Sequence, residues 1–243
     1  MTVPPLSRVA ATDPSELCRR VYLRIHQRTW RTGMDERKVS ESRDKYSVAF
    51  GSELHVKVEA SKPTGVALGH PLPDKNVSRR LWRLSKLIEH RFGMLGERPA
   101  LALVPASFYH VTVYSRSHFE RGAVFDMNQR EQMEAERIIA RAKLGPVTVD
   151  LNGFLLSSDG RLLARGYPQD NGLFQLRQLL VAELPKDGGD PPPLAHIKLG
   201  HFLFCPPLPL LREFLDWLGR CCHHLSARLV FEDVYTPGGR IRL

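Results

Sequence analysis

The sequence lacks two features that would assign it to a membrane or to an oxidising compartment. No apolar stretch reaches the roughly 18 residues that a membrane-spanning helix requires. The segment 1–11 does not combine a basic start with a long apolar stretch, so the sequence predicts no signal peptide. Two of the four cysteines, Cys221 and Cys222, are adjacent and therefore poorly placed to bond to each other. We therefore expect a cytoplasmic protein with reduced thiols and no membrane association.

Clustered metal ligands and a compact basic tail are also missing. No carboxylate-rich group of residues stands out as a metal site, so we expect neither a resident metal nor another cofactor. The net charge of +9 is spread along the chain. A basic surface favours anionic partners such as RNA, nucleotides or phosphorylated metabolites, although a generally basic proteome gives the same excess.

The apolar content is sufficient for one sizeable domain. The chain has 243 residues, of which 42% are hydrophobic, and this is typical of a globular protein. Four segments have the apolar pattern of helices, and we predict that each of them is helical. These segments are 75–92, 129–144, 172–184 and 208–225. A fifth helix is expected to begin after Asp13, which can cap it, and to extend to about Arg28.

Two short segments of the chain match each other. They are His110-Val111-Thr112-Val113 and His196-Ile197-Lys198-Leu199-Gly200. Because side chains alternate between the two faces of a strand, His110 shares a face with Thr112, and His196 shares a face with Lys198. The histidines are 196 − 110 = 86 residues apart, about one small lobe, and helix-like segments flank both motifs. Two histidines that face one cleft can act as acid and base, whereas either one alone is more simply a partly buried strand residue.

The paired motifs resemble those of the two-histidine phosphoesterase superfamily, which includes RNA-ligase-like and cyclic phosphodiesterase proteins. The resemblance covers residues 60–243 and includes a closing strand from Leu229 to Tyr235. It implies an α+β fold with two pseudo-symmetric lobes of antiparallel strands and packed helices around a central cleft. Residues 61–243 would form this bilobal domain. Residues 1–60 would form an N-terminal extension, with a helix followed by a highly charged, solvated loop from Arg31 to Lys45.

The resemblance also implies an activity. The protein would be a metal-independent phosphoesterase, a hydrolase that cleaves a cyclic or linear phosphodiester of a nucleotide or an RNA end. His110 and His196 would be the acid and the base, in either order, and Thr112 and Lys198 would bind the substrate phosphate. The family usually has threonine or serine at the position of Lys198, and lysine keeps a hydrogen-bond donor while adding a positive charge. The alternative is a non-catalytic module that binds a nucleotide or RNA phosphate in the same cleft. In both cases we expect a monomer whose partner is a phosphodiester-containing small molecule or an RNA end.

Three further residues are candidates for the lining of the cleft. Strand alternation places Tyr114 on the face of the first motif's histidine, where its ring could stack on a base. Arg165 and Tyr167 share one face of another strand-like run. For each of them a position in the core or on the surface is the simpler alternative. His201 is an odd number of residues from the second motif's histidine, which predicts the opposite face and a structural role.

Overall fold

The computed structural model of the protein describes residues 13–50, 53–56, 65–96, 98–115, 127–184, 193–221 and 224–243. The helices in this part of the chain are α1 (Pro14–Thr32), α2 (Glu36–Tyr46), α3 (Lys75–Phe92), α4 (Gln129–Ala142), α5 (Gly172–Glu183) and α6 (Leu208–Cys221). The strands are β1 (Ser47–Phe50), β2 (Glu53–Val56), β3 (Val66–Leu68), β4 (Met94–Leu95), β5 (Arg98–Pro99), β6 (Leu101–Leu103), β7 (Val111–Tyr114), β8 (Val147–Leu156), β9 (Arg161–Pro168), β10 (Ala195–Phe202), β11 (Ser226–Phe231), β12 (Asp233–Thr236) and β13 (Gly239–Arg242). Within the same residues, none of the helices has both the length and the apolar character needed to cross a membrane.

Helix α1 begins at the predicted cap. The side chain of Asp13 accepts a hydrogen bond from the backbone N–H of Ser15 at 2.9 Å, and a proline occupies the first turn. The helix continues to Thr32, past the end expected near Arg28. Gly33 follows with φ of 77°, a left-handed conformation that glycine adopts without strain, and the chain turns there.

The charged segment that was expected to be a loop is largely helical, because α1 extends into it and α2 follows after a short link. The carboxylate of Asp35 accepts a hydrogen bond from the backbone N–H of Lys38 at 3.2 Å. One turn separates Arg37 from Glu41, and their charged groups lie 3.8 Å apart. Opposite charges at this spacing stabilise an exposed helix, which explains why this charged segment is helical. The expectation of a loop was wrong. The domain boundary expected near residue 60 lies outside the described residues and stays a prediction.

The four helices predicted in the second part of the chain are confirmed. Helix α3 covers the predicted segment 75–92, and its apolar stripe faces the core. Asp74 caps this helix by accepting hydrogen bonds from the backbone N–H groups of Asn76 at 2.7 Å and Val77 at 3.2 Å. Helices α4, α5 and α6 end slightly earlier than the sequence pattern indicates.

The two motif strands are neighbours at the centre of a nine-stranded antiparallel sheet. The strand order is β11-β8-β9-β10-β7-β3-β12-β13, and β6 pairs with β10 beside this path. Strands β7, β3, β12 and β13 form the first lobe, and β10, β9, β8 and β11 form the second. The α+β fold with two lobes, expected from the sequence, is therefore confirmed.

The sheet curls strongly, so that its ends approach each other. Strand β11 lies at one end of the order and β12 lies near the other, yet only Glu232 separates them along the chain. At Gly69, which follows β3, an added Cβ would lie 2.5 Å from the ring of Phe231 at the end of β11. The segment from Leu229 to Tyr235, expected to be one closing strand, is therefore two strands that belong to different lobes.

The N-terminal helix packs on the second lobe. The hydroxyl of Tyr22 donates to the backbone carbonyl of Ala195 in β10 and accepts from the backbone N–H of Gly166 in β9 at 3.2 Å. The side chain of Cys18 contacts the carbonyl oxygen of Pro193 at 3.3 Å, just before the second motif. Helix α1 is thus attached to the backbone that carries His196.

Candidate functional site

One residue pair fixes how the two motifs face each other. Strands β10 and β7 run antiparallel, and Ile197 is paired with Val111. These two positions are equivalent, because each directly follows its motif's histidine. Two equivalent positions that pair in antiparallel strands have a local two-fold axis between them. The local two-fold axis that relates the two lobes therefore passes between Ile197 and Val111.

This register brings the polar side chains of both motifs onto one face. Regular antiparallel geometry around the central pair turns His110 toward Lys198 and His196 toward Thr112. Each histidine thus faces the third residue of the other motif. The charge of Lys198 acts on His110, and the charge of His110 acts on His196. In a regular antiparallel pair the diagonal positions that the two histidines occupy are about 7–8 Å apart. A spacing of this order would admit a single phosphate group between the two histidines.

Burial follows the same alternation. Val111, Val113, Ile197 and Leu199 are fully buried and belong to the hydrophobic core. The four polar motif side chains between them are half-buried. The apolar residues therefore anchor the strands, while the polar residues remain accessible on the other face.

The ring of His110 is held in one orientation. Its Nδ1 lies 2.8 Å from the carbonyl oxygen of Phe108, and because a carbonyl only accepts, Nδ1 carries the hydrogen. In the neutral ring, Nε2 is then the atom that can accept a proton. Burial lowers the pKa of His110 to about 4, and the charges of His70 and Lys198 act in the same direction.

The ring of His196 is acted on by two positive charges. Its Nδ1 is buried and makes no hydrogen bond to any residue that the structure describes. Burial lowers the pKa of His196 to about 3, and the charges of Arg161 and Arg177 contribute in the same direction. Both histidines are therefore neutral at pH 7 in the free protein. A bound anion favours the protonated ring and would raise both pKa values.

Two arginines that act on His196 were not found from the sequence. Arg161 begins β9 and forms an ion pair with Asp159 at 2.8 Å. Arg177 lies in α5 and donates hydrogen bonds from Nη2 to the carbonyl of Thr112 at 2.6 Å and from Nε to the carbonyl of Val113 at 3.2 Å. The sequence signal that could have indicated Arg177 is a charged residue on the apolar side of a predicted helix. This side is buried, and charged residues are unusual there.

A third histidine lies beside the first motif. The ring of His70, which follows β3, is 6.0 Å from the ring of His110 and nearly perpendicular to it. The ring of Tyr235 in β12 lies 4.9 Å from the ring of His70. These two aromatic residues and Arg240 line part of a hollow of about 200 Å³. No local motif surrounds His70 in the sequence, because the curled sheet brings it to His110 from another strand.

The three candidates for the cleft lining differ in their surroundings. Tyr114 is only 3% exposed and belongs to the core. The simpler alternative, a position in the core, therefore applies, and the expectation that its ring stacks on a base was wrong. Arg165 pairs directly with His196 across β9 and β10, and its Nε donates to the carbonyl of Asn152 at 3.1 Å. Arg165 therefore lies beside the second motif, and a role in binding stays a proposal.

The ring of Tyr167 is engaged with the N-terminal helix. It packs edge-to-face on Tyr22, with the ring centroids 5.6 Å apart, and the guanidinium of Arg19 lies 5.7 Å from its centroid. Tyr167 is half-buried, and contact between its ring and a bound molecule also stays a proposal.

The face predicted for His201 was wrong, because β10 is irregular. The structural role of His201 stays a prediction. The register of β10 against β9 shifts directly after Lys198. Before the shift His196 pairs with Arg165, and after it His201 pairs with Arg161. The two arginines share a face of β9, so the two histidines share a face as well. A bulge of this kind reverses the simple odd–even rule.

Among the described residues, no group of three or more histidine, cysteine, aspartate or glutamate side chains is arranged to hold a metal ion. Independence from metals and other cofactors stays a prediction.

No protein-family model and no curated protein matches this chain. The solved structures that are similar to it include the following two. The crystal structure of TT0787 of Thermus thermophilus has 14% sequence identity, a TM-score of 0.47, and a match that covers 74% of this chain and 92% of that one. The structure of Kluyveromyces marxianus Usb1 has 12% identity, a TM-score of 0.45, and a match that covers 74% of this chain and 96% of that one. At these identities and scores, the similarity assigns no role to any residue of this chain.

Proposed function

We propose that the protein is a metal-independent phosphoesterase that cleaves a cyclic or linear phosphodiester of a nucleotide or an RNA end with two histidines. The observation that carries this proposal is the pairing of Ile197 with Val111. Together with strand alternation, this register supports a shared face for the two motif histidines, Thr112 and Lys198. The arrangement supports proton transfer on both sides of one phosphate group.

The scissile phosphate would lie between His110 and His196. One neutral histidine accepts a proton from water or a ribose hydroxyl, and the other, once protonated, donates a proton to the leaving oxygen. The hydrogen bond at Nδ1 of His110 leaves its Nε2 suited to this exchange. Thr112 and Lys198 would donate hydrogen bonds to the non-bridging oxygens, where negative charge accumulates in the transition state.

The charges around the histidines support an anionic substrate. Lys198, Arg161 and Arg177 disfavour a second positive charge on the imidazole rings. A bound phosphate offsets this effect, so substrate binding and histidine protonation are coupled. Because kcat/KM reports the pKa values of the free enzyme, it should rise as the pH falls from 8 toward 5.

The low pKa values also favour the second candidate, a non-catalytic phosphate-binding module. With His110 and His196 neutral at pH 7, neither ring in the free cleft is the imidazolium that a general acid requires. Such a module would retain a nucleotide or RNA phosphate through Thr112 and Lys198 and release it unchanged. Turnover distinguishes the two candidates.

A screen of cyclic phosphodiester nucleotides and RNA ends, with chromatographic separation of the phosphate products, tests the proposal. The parent protein is compared with His110→Ala and His196→Ala. The control is His90→Ala, which removes an exposed histidine of α3. Each cleft variant should lose at least about 100-fold in rate, because proton transfer contributes about 10²–10⁴-fold. The control should retain the parent rate, and all variants should keep the parent circular dichroism spectrum.

Two results would count against the proposal. Normal turnover in either folded cleft variant would remove that histidine from the mechanism. Tight binding without turnover by the parent protein, from pH 5 to pH 8, would select the binding module.

A further inference from the structure

Arg177 is a buried positive charge. Only 4% of its surface is exposed, and although burial lowers its pKa to about 10, the guanidinium is charged at pH 7. Within the described residues, the acidic groups that act on it are Cys18 and Tyr22. Burial raises the pKa of both groups, so both are neutral at pH 7. A buried cation without an ionised partner lowers the stability of the fold. We therefore ask what the charge of Arg177 contributes at its position.

The position of Arg177 is where the two motif strands separate. Within the described residues, the ladder between β7 and β10 consists of the pair at Val111 and Ile197. The next two carbonyls of β7, those of Thr112 and Val113, accept hydrogen bonds from Arg177 at 2.6 and 3.2 Å. The guanidinium therefore binds the backbone of the first motif.

The remaining nitrogen of this guanidinium has capacity for a further interaction. Nη1 of Arg177 is buried and makes no hydrogen bond to any described residue. The charge of Arg177 also acts on His196, the histidine of the other motif. Arg177 is thus coupled to both motifs, and one of its terminal nitrogens has no hydrogen-bond partner among the described residues.

We propose that Arg177 is a positioning residue that holds the separation of the two motif strands and supplies a fixed positive charge for the substrate phosphate. The inference rests on the proposed phosphoesterase function and adds that a buried cation matches the negative charge of the phosphodiester. The bound phosphate would supply an anion that the described residues do not supply. Phosphate binding should therefore stabilise the protein, and the stabilisation should depend on the charge at position 177.

The test separates the charge of Arg177 from its hydrogen bonds. Replacement by citrulline removes the charge but keeps the shape and the donors at Nε and one terminal nitrogen. Arg177→Gln removes the charge and shortens the side chain, whereas Arg177→Lys keeps the charge. The matched control is Arg212→Gln on α6, since Arg212 is exposed and donates to the carbonyl of Trp30 at 3.3 Å.

The probe is inorganic phosphate, measured by calorimetric titration and by the shift in Tm. The dissociation constant should increase at least about tenfold for the citrulline and glutamine variants, the scale of losing one buried charge contact. Arg177→Lys should lose less, and Arg212→Gln should match the parent. The pKa of His196, followed by NMR, should rise in both neutral variants, because Arg177 holds it down. This pKa reports the electrostatic coupling of Arg177 to the second motif. A purely structural role would leave the phosphate affinity of folded citrulline protein unchanged.

If the glutamine variant does not fold, the citrulline variant decides the question. Parent-like phosphate affinity and an unchanged His196 pKa in folded citrulline protein would overturn the role of Arg177 alone. A parent protein that neither binds phosphate nor cleaves any phosphodiester would overturn the proposed function together with this inference.

Discussion

Acidification should destabilise this protein through the two motif histidines. In an unfolded chain the pKa of each histidine is about 6.5, whereas in the fold it is about 4 for His110 and about 3 for His196. Below pH 6.5 the unfolded chain therefore binds protons that the folded protein does not bind. The stability contributed by the neutral histidines is complete above pH 6.5 and decreases as the pH falls toward the folded-state values.

The size of this effect follows from the two pKa values. Between pH 6.5 and pH 5 each histidine costs about 2 kcal/mol, at about 1.4 kcal/mol per pH unit. Both together cost about 4 kcal/mol, a large share of the 5–15 kcal/mol that is typical of a folded domain. Added phosphate should reduce the loss, because a bound anion raises the pKa of a neighbouring histidine.

Urea unfolding at pH 7 and at pH 5 measures the effect. The reference is the double variant His110→Gln/His196→Gln, which keeps polar side chains but removes both titrating rings. Other groups titrate equally in both proteins, so the change in the difference between their unfolding free energies isolates the two histidines. The parent should lose about 4 kcal/mol more than the variant on acidification. A difference that does not change with pH would refute the reasoning that the cleft desolvates these rings.

Three other predictions follow from the site and its support. Lys198→Ala should weaken substrate binding and slow turnover by up to about 100-fold, which is the scale of losing one transition-state donor. Lys198→Thr should restore part of the rate. Steady-state kinetics at two salt concentrations check both expectations. Exhaustive chelation should leave turnover unchanged, and restoration of a lost rate by zinc or manganese would contradict the mechanism. Tyr22→Phe should lower the unfolding free energy by about 1–3 kcal/mol, because its buried hydroxyl binds the backbone of β9 and β10; urea unfolding measures this.

Local patterns predicted the parts of the structure that depend on neighbouring residues. The apolar periodicity of α3 predicted a helix with the observed bounds. Strand alternation likewise placed His110 with Thr112 and His196 with Lys198, and the pairing of β7 with β10 is compatible with that placement. These predictions needed only the geometry of one strand or one helix.

The remaining features depend on contacts between distant segments. The bulge after Lys198 moves His201 to the face of the second motif, and no local rule indicates it. His70 reaches His110 only because the sheet curls. Arg177 reaches the first motif because α5 packs against β7, and its sequence neighbours predict only a buried apolar face.

The most direct test of the central claim compares turnover of a phosphodiester substrate by His110→Ala, His196→Ala and the double variant. If the two histidines act as one catalytic unit, each single variant should lose at least about 100-fold in kcat/KM. The kcat/KM of the double variant should then be no more than about tenfold below that of the less active single variant, since the effects of residues that act together are not additive. Near-parent turnover in either folded single variant, or losses that multiply in the double variant, would contradict a shared proton-transfer mechanism.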